Sequence, residues 1–342
     1  MVSNDRMEDR MKYTRSEAKQ WTRDSLRGYS VTTTTALKAD LELDIAGIRS
    51  NVERYLALPG VNGLYIGSLY QEFWTQTLDE RKLVTETMLT EANGRVPTIV
   101  NVSHTSYKDT IDLAKHAQSC GADLVMVWPP YYGPRNDDGI LDFYKMIADN
   151  VDIGLCAYSA TFAELGFYIT PQLMTKIAEI ETVVAVKEAS FSLDRFSAMM
   201  QAAGHLVEVS APLEEYYFFG KTAFPDVTPK FIIGSSRPIY MQTAEKPNCA
   251  EFWAAIESND MNAARQSLDR ILRVANELHS KYLAKGTHHA TLMKYISSLY
   301  GFAAGPVRPP LTMPTEAEKE NARLVLKSNG LLPDDWMQQA AE

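Results

Sequence analysis

Short apolar runs recur along this chain, and their spacing is the sequence feature that most limits how it can fold. They lie near residues 29–35, 63–68, 97–103, 123–129, 153–159, 182–188, 206–211 and 230–236. Longer stretches of helical character separate them. Eight strands that alternate with helices are the repeat of a parallel barrel. We therefore expect an α/β protein with a (β/α)8 TIM barrel.

The stretches between the runs begin with recognisable helix starts. Thr77 to Glu80 and Ser106 to Asp109 have the spacing of capping boxes, and Thr170 precedes a proline at the first helical position. Two apolar helical faces follow the same period, one with Leu113, Ala114 and Ala117 and one with Ile140, Phe143 and Ile147. An open, doubly wound sheet would use similar units. However, the first run is not followed by a glycine-rich phosphate turn, which favours the barrel.

The chain is expected to have three parts. Residues 1–27 are polar and charged and form an N-terminal extension, which is either a short helix on the outside or bottom of the barrel or a loosely held end. Residues 28–247 form the barrel. Residues 248–342 have a wholly helical pattern, which predicts a C-terminal appendage of three or four helices.

Composition excludes several classes of function. The net charge is −9 and no dense cluster of Lys and Arg is present, which argues against nucleic-acid binding. No apolar run reaches the roughly 18 residues of a membrane helix, and the polar start lacks a signal core. Cys120, Cys156 and Cys249 are too widely spaced for a disulfide framework or a zinc site. We expect a cytoplasmic protein without a metal or another cofactor.

Lys187 is a charged residue inside the otherwise apolar sixth run. Ionised lysine is rarely fully buried, and an apolar environment lowers its pKa until the neutral amine, which attacks carbonyls, becomes accessible. The pattern alone leaves two alternatives open, in which the ammonium pairs with Glu188 or reaches out of the strand end. Because strand residues alternate between two faces, Glu188 points away from the face of Lys187, and the pairing alternative is weakened.

Tyr158 ends the fifth run, at nearly the same height as Lys187 on the neighbouring strand. A tyrosine in this position could move protons during Schiff-base chemistry. The alternative is a core or rim tyrosine whose hydroxyl has a structural partner.

Other candidates stand at the ends of the runs or in the appendage. His104 follows the third run and could supply a polar contact or a second base. His288 and His289 begin a helix of the appendage, where we expect them to cap it or to be solvated. Trp74 and Trp128 are expected to be wall residues of a pocket that takes an aromatic or bulky substrate.

A set of motifs in fixed order carries a resemblance to a known family. The motifs are Gly63 to Gly67, Glu72, Thr77 to Arg81, Pro129 to Tyr132, Tyr158 and Val186 to Ala189. Over about residues 28–312 the chain resembles the dihydrodipicolinate synthase and N-acetylneuraminate lyase superfamily of class I Schiff-base aldolases. The resemblance implies a barrel with a helical appendage and a 2-oxo acid substrate, usually pyruvate.

The same resemblance implies three site residues and an assembly. Lys187 would form the Schiff base, and Tyr158 would transfer protons. In the synthase branch, the tyrosine matched by Tyr132 reaches into the neighbouring subunit's site across a tight dimer. The resemblance also implies a homotetramer, built as a dimer of dimers.

The loop after the second run departs from the family pattern. Pyruvate-using members have Gly-(Ser/Thr)-Thr-Gly-Glu there, whereas this chain has Ser68-Leu69-Tyr70-Gln71-Glu72. Leu69, Tyr70 and Gln71 remove small hydrogen-bond donors and add bulk where the substrate carboxylate should bind. The remaining candidates to bind that carboxylate are Ser68, the Tyr70 hydroxyl and Arg237. Arg237 is included because a guanidinium can bind a carboxylate with two parallel hydrogen bonds.

Arg237 ends the eighth run, and Gly234 and Ser235 just before it are expected to contribute to substrate binding. The alternative for Arg237 is a rim arginine paired with Glu214 or Glu215.

Two functional hypotheses follow. The first is a class I lyase or aldolase without a cofactor, in which Lys187 forms an imine with a 2-oxo acid of the pyruvate type and Tyr158 relays protons while a carbon–carbon bond is broken or made; hydration or dehydration would use the same groups. The stretches 214–217, 224–226 and 308–310 resemble the hydratase-aldolase branch, which cleaves arylidene pyruvates. The second is a barrel protein that binds a carbonyl or another small ligand without turnover, or a Schiff-base enzyme for a substrate that has no carboxylate.

Overall fold

The computed structural model describes residues 11–161, 167–283 and 288–332. Eight parallel strands with helices between them form a (β/α)8 barrel, and further helices follow the last strand. The strands are β1 (Gly28–Thr32), β2 (Val61–Ile66), β3 (Thr98–Asn101), β4 (Leu124–Val127), β5 (Gly154–Ala160), β6 (Val183–Ala189), β7 (Glu208–Ser210) and β8 (Phe231–Ser235). Each of the eight apolar runs overlaps one strand, with ends that differ by at most a few residues, so the prediction of eight strands is confirmed.

Thirteen α-helices lie in the described residues. They are α1 (Ala18–Ser25), α2 (Ile45–Leu56), α3 (Leu78–Ala92), α4 (Tyr107–Ser119), α5 (Asp137–Ala148), α6 (Pro171–Ile177), α7 (Leu193–Ala203), α8 (Glu214–Ala223), α9 (Asn248–Glu257), α10 (Met261–Val274), α11 (Lys281–Leu283), α12 (His288–Ser298) and α13 (Glu316–Ser328). A π-helical turn, Ala275–Ser280, joins α10 to α11. None of the helices in the described part of the chain combines the length and apolar character that crossing a membrane requires.

The predicted helix starts are present. Thr77 and Glu80 exchange side-chain to backbone hydrogen bonds of 2.9 and 3.2 Å before α3. Thr170 caps α6 ahead of Pro171. Ser106 accepts a hydrogen bond from the N–H of Asp109, so it caps α4 as predicted. The other half of the predicted capping box is replaced, because the Asp109 carboxylate lies 3.2 Å from Nδ1 of His104. Both predicted apolar faces, on α4 and α5, are buried.

The chain forms two compact units. The first consists of Met1–Arg27 and Asn93–Ile233. Within it, strands β3 to β7 are hydrogen-bonded neighbours in chain order. Its N-terminal segment lies at the strand starts: Tyr13 donates a hydrogen bond to the carbonyl of Asp123, just before β4, and accepts one from the N–H of Gly154 in β5. Lys12 pairs with the Asp123 carboxylate at 2.7 Å. Of the two alternatives given for the N-terminal extension, these contacts agree with a segment packed at the bottom of the barrel and not with a loosely held end.

The second unit consists of Gly28–Ala92 and Gly234–Glu342. Strands β1 and β2 pair in parallel, and α2 packs beside α3. The side-chain amide of Asn51 on α2 exchanges two hydrogen bonds, of 2.7 and 2.8 Å, with the backbone of Ala303. Helix α12 packs against the short turn Leu69–Gln71 that follows β2. The segment after β8 is therefore tied to both α2 and this turn. The boundaries predicted at residues 27/28 and 247/248 stay predictions.

Candidate active site

Lys187 lies near the C-terminal end of β6, where barrel enzymes place their chemistry. All seven residues of this strand are buried, and only 5% of Lys187 is exposed. Loss of hydration through this burial lowers the pKa of its amine from the ordinary 10.5 to about 7. A larger share of the amine is then neutral near pH 7 than in an exposed lysine, and the neutral form is able to attack a carbonyl.

Tyr158 is the direct neighbour of Lys187 in the register of β5 and β6. Its ring centre lies 5.3 Å from Nζ of Lys187. Trp128, which follows β4, stacks on the Tyr158 ring at 4.2 Å and an interplanar angle of 24°. The stacking holds the Tyr158 ring beside the amine, and the role of Trp128 as the wall of a substrate pocket stays a prediction.

Glu188 points to the other face of β6. Its carboxylate accepts a hydrogen bond of 2.9 Å from the N–H of Ser190. Burial raises the pKa of this carboxyl group, and the hydroxyls of Ser190 and Ser159 oppose that rise. Glu188 therefore holds the backbone just beyond β6, on the face opposite to Lys187, as the strand alternation predicted.

Tyr132 lies in the aromatic segment after β4 and is 84% exposed. Gly133 follows it with a φ of 94°, a left-handed conformation that favours glycine. Arg135 donates a hydrogen bond of 2.8 Å to the carbonyl of Pro130, which closes the segment on itself. The predicted role of Tyr132 in the site of a second subunit stays a prediction.

The loop after β2 uses its own polar groups internally. Gln71 is fully buried, and its side-chain oxygen accepts a hydrogen bond from the N–H of Gly67. The Ser68 hydroxyl bonds to Thr32 and accepts from the N–H of Tyr70 at 3.2 Å. The expectation that Gln71 adds bulk at the substrate position is therefore wrong, because its side chain folds beneath the loop, where its amide lies 3.4 Å from the Met88 sulfur.

Arg237 begins a short 3-10 turn directly after β8 and is 0% exposed. It is a buried arginine and not a rim residue. The N–H of Arg237 is 3.3 Å from the Ser235 hydroxyl, and Gly234 has a φ of 75°. The carboxylate-binding role predicted for Arg237, Gly234 and Ser235 stays a prediction.

Tyr70 lies in the loop after β2, with His289 edge-on to its ring at 5.5 Å. Burial raises the pKa of the Tyr70 phenol to about 12, although Ser236 and Arg237 oppose the rise. The phenol therefore stays protonated at neutral pH and is a hydrogen-bond donor.

His289 corrects one prediction. It was expected to cap or solvate a helix, but it is 1% exposed and packs edge-on against His279 at 4.5 Å. The reason is that the first turns of α12 face the interior, where Ala290, Leu292 and Met293 are also buried. The side chain of His288 lies outside the described residues.

A buried ion pair was missed by the sequence analysis. Lys294 on α12 donates a hydrogen bond of 2.9 Å to the carboxylate of Glu72, the last residue of the loop after β2. Neither side chain is appreciably exposed. No local pattern signals this pair, since its members are 222 residues apart in sequence.

His104 has a local structural role. Its Nδ1 accepts a hydrogen bond of 3.1 Å from the N–H of Ser106, at the start of α4. The ring thus helps to cap that helix, and its predicted part in catalysis stays untested.

The fold and the Lys187–Tyr158 pair together define a class of protein. A (β/α)8 barrel with a buried, partly neutral lysine at a strand end and a phenol beside it has the elements of a Schiff-base enzyme. A model of the Dihydrodipicolinate synthetase family matches residues 25–213, and the chain belongs to this family. It is therefore an enzyme of the lyase and aldolase type.

Individual relatives agree with this assignment. The chain is 27% identical over 274 residues to a 4-hydroxy-tetrahydrodipicolinate synthase of Pelobacter propionicus, covering 80% of this chain and 89% of the relative. A prophage protein of the dihydrodipicolinic acid synthase family from E. coli K12, solved in complex with pyruvate, has the same fold with a TM-score of 0.78 at 21% identity, covering 89% of this chain and 99% of that one. The N-acetylneuraminate lyase of Mycoplasma synoviae has a TM-score of 0.74 at 22% identity and covers 89% and 98%.

Proposed function

We propose that this protein is a class I lyase or aldolase that acts on a 2-oxo acid of the pyruvate type. The observation that carries the proposal is the burial of Lys187, which lowers its pKa to about 7 beside Tyr158. The pyruvate complex of the E. coli relative and the synthase activity named for the Pelobacter relative support the substrate class.

In the proposed reaction, the neutral amine of Lys187 adds to the carbonyl carbon of the substrate. Tyr158 supplies a proton to the resulting carbinolamine oxygen, which leaves as water, and an iminium remains. The iminium accepts the electron pair released when a carbon–carbon bond breaks and becomes an enamine, and a proton relayed by Tyr158 to its carbon restores the iminium. In the opposite direction, loss of that carbon proton gives the enamine, which donates the electron pair when the bond forms. Water then hydrolyses the imine and regenerates the amine. Addition or loss of water at the adjacent carbons would use the same groups.

The remaining site residues are part of the proposal. Ser68, Leu69 and Tyr70 after β2, with Gly234, Ser235 and Arg237 at the end of β8, are proposed to contact the substrate. The resemblance of stretches 214–217, 224–226 and 308–310 to the hydratase-aldolase branch supports an arylidene-pyruvate type of substrate. Assays that compare pyruvate-derived aldols with aromatic and aliphatic tails would test this.

Assembly and location belong to the same proposal. The exposed Tyr132 is proposed to complete the site of a neighbouring subunit in a homotetramer, and sedimentation velocity would measure that state. The cytoplasm is the proposed compartment, which fractionation of the source cells would test.

A second candidate function is favoured by one observation. The backbone N–H groups of Gly67 and Tyr70 are used within the loop after β2, which leaves fewer donors for a substrate carboxylate. The barrel would then form an imine with an aldehyde or ketone, or bind a small ligand without turnover.

Borohydride reduction tests the proposal directly. Pyruvate and borohydride should add one reduced pyruvate to Lys187, which peptide mass spectrometry would locate. Lys187→Arg keeps the charge but removes the nucleophile, so adduct and turnover should both fall to background. Lys115→Arg, which changes an exposed lysine on α4, is the matched control. Substantial turnover by Lys187→Arg would refute the Schiff-base mechanism, and an adduct without turnover on any 2-oxo acid would favour a binding protein.

A further inference from the structure

Helix α12 of the C-terminal segment contacts the loop after β2 through two side chains. Lys294 binds the carboxylate of Glu72, and His289 packs edge-on against the ring of Tyr70. Both contacts are made to the stretch 68–72, where this chain departs from the family pattern. The helix therefore reaches the part of the chain proposed to recognise the substrate.

The first contact is a buried ion pair that fixes the end of the loop. Glu72 has a φ of 55°, a left-handed conformation that is uncommon for a residue with a side chain. Its N–H donates to the carbonyl of Leu69, and its own carbonyl accepts from the N–H of Thr75. Glu72 thus ends one short turn and begins the next. A buried charge is strongly disfavoured without its partner, so Lys294 determines where Glu72 can lie.

The second contact orients a hydrogen-bond donor. His289 is buried, and its ring is T-shaped to the Tyr70 ring, with the ring centres 5.5 Å apart and an interplanar angle of 77°. Edge-to-face contact between rings has a preferred geometry, so it restricts the rotation of the phenol. Because Gln71 binds the N–H of Gly67 and Ser68 binds the N–H of Tyr70, side-chain hydroxyls become important for anion recognition by this loop.

We propose that Lys294 and His289 are positioning residues that set substrate selectivity, by holding the Tyr70 hydroxyl as a donor to the carboxylate of the 2-oxo acid. The proposal rests on the proposed function, since it assumes that Lys187 forms an imine with such a substrate. It assigns the C-terminal helical segment a part in substrate recognition.

The test compares two ketones that differ in the carboxylate. Pyruvate and hydroxyacetone are each titrated in the borohydride assay, and the concentration that gives half-maximal adduct on Lys187 is measured for each. His289→Ala removes the ring, and His289→Phe keeps it. Glu72→Gln with Lys294→Met removes both charges of the pair, so neither is left buried alone. Lys327→Met changes an exposed lysine on α13 and is the control.

The expected result is a loss of selectivity. For His289→Ala and the double variant, the pyruvate concentration that gives half-maximal adduct should rise about tenfold, which corresponds to tenfold weaker binding. The hydroxyacetone concentration that gives half-maximal adduct should change little. His289→Phe should recover most of the pyruvate binding, and Lys327→Met should behave as wild type. If Lys294 and His289 had a purely structural role, their replacement would weaken the binding of both ketones to a similar extent.

Three results would overturn the proposal. The first is unchanged pyruvate binding in both altered proteins while wild type forms the adduct, which leaves the proposed function standing. The second is an equal loss for both ketones. The third is the absence of any adduct in wild type, which removes the proposed function as well. If the double variant does not fold, the His289→Ala and His289→Phe pair decides.

Discussion

Replacement of Lys187 by methionine should stabilise the folded protein, although it removes the proposed nucleophile. Lysine in water has a pKa of 10.5, and burial in β6 lowers it to about 7. At about 1.36 kcal/mol per pKa unit, this shift corresponds to a folding penalty of about 5 kcal/mol, to order of magnitude. Methionine has a similar length and no charge, so it avoids that penalty.

The pH dependence of this effect has a definite sign. Between pH 7 and 10.5 the unfolded chain binds a proton at Lys187 that the folded chain does not bind. The contribution of Lys187 to the free energy of unfolding of the wild type therefore rises with pH between pH 7 and 10.5. The advantage of Lys187→Met should be full below pH 7, shrink steadily above it and vanish near pH 10.5.

Denaturant unfolding followed by circular dichroism at pH 6, 8 and 10 would measure this difference. Lys115→Met, at an exposed position on α4, should show no comparable gain. A Lys187→Met protein that is less stable than wild type at pH 6, or whose advantage does not decline between pH 8 and 10, would refute the reasoning. The pKa of Lys187 in the folded protein would then not be lowered below its ordinary value.

Two further predictions concern the chemistry. Tyr158→Phe should lower kcat by roughly 100- to 10,000-fold with a smaller change in KM, as expected for a positioned proton donor; an unchanged kcat would make Tyr158 a wall residue. Arg237→Lys should raise KM for an acidic substrate strongly, because an ammonium cannot reproduce a two-pronged contact, whereas Leu69→Ser, which adds a small hydroxyl donor beside Tyr70, should strengthen the binding of plain pyruvate. Gln71 is kept in that variant because its buried side chain binds Gly67. If steady-state kinetics show no effect of either change, the substrate presents no carboxylate to these residues.

The fold and the reactive pair were predictable because both depend on short-range regularities. Apolar runs of strand length define the eight strands, and alternation along β6 places Lys187 and Glu188 on opposite faces. The register of two neighbouring strands then brings Tyr158 beside Lys187.

The rest of the site depends on packing between distant segments. His289 is polar at the start of a helix, which by itself is typical of a solvated residue, and only the packing of α12 buries it. Gln71 folds beneath its own loop, and Lys294 meets Glu72 across most of the sequence. Such contacts leave no periodic signal in a single sequence.

The position of Tyr13 also has a consequence for how the chain is made. Its hydroxyl accepts a hydrogen bond from Gly154, which lies 141 residues later. Since a ribosome adds about 5 to 20 residues each second, roughly 7 to 28 s separate the synthesis of the two residues. In the folded protein the rings of Tyr13 and Trp21 pack together at 4.8 Å. During that interval the Tyr13 hydroxyl cannot form its hydrogen bonds to the backbone at the starts of β4 and β5, because those residues have not yet been synthesised. The segment around Tyr13 therefore cannot complete its contacts until the start of the fifth strand has been synthesised.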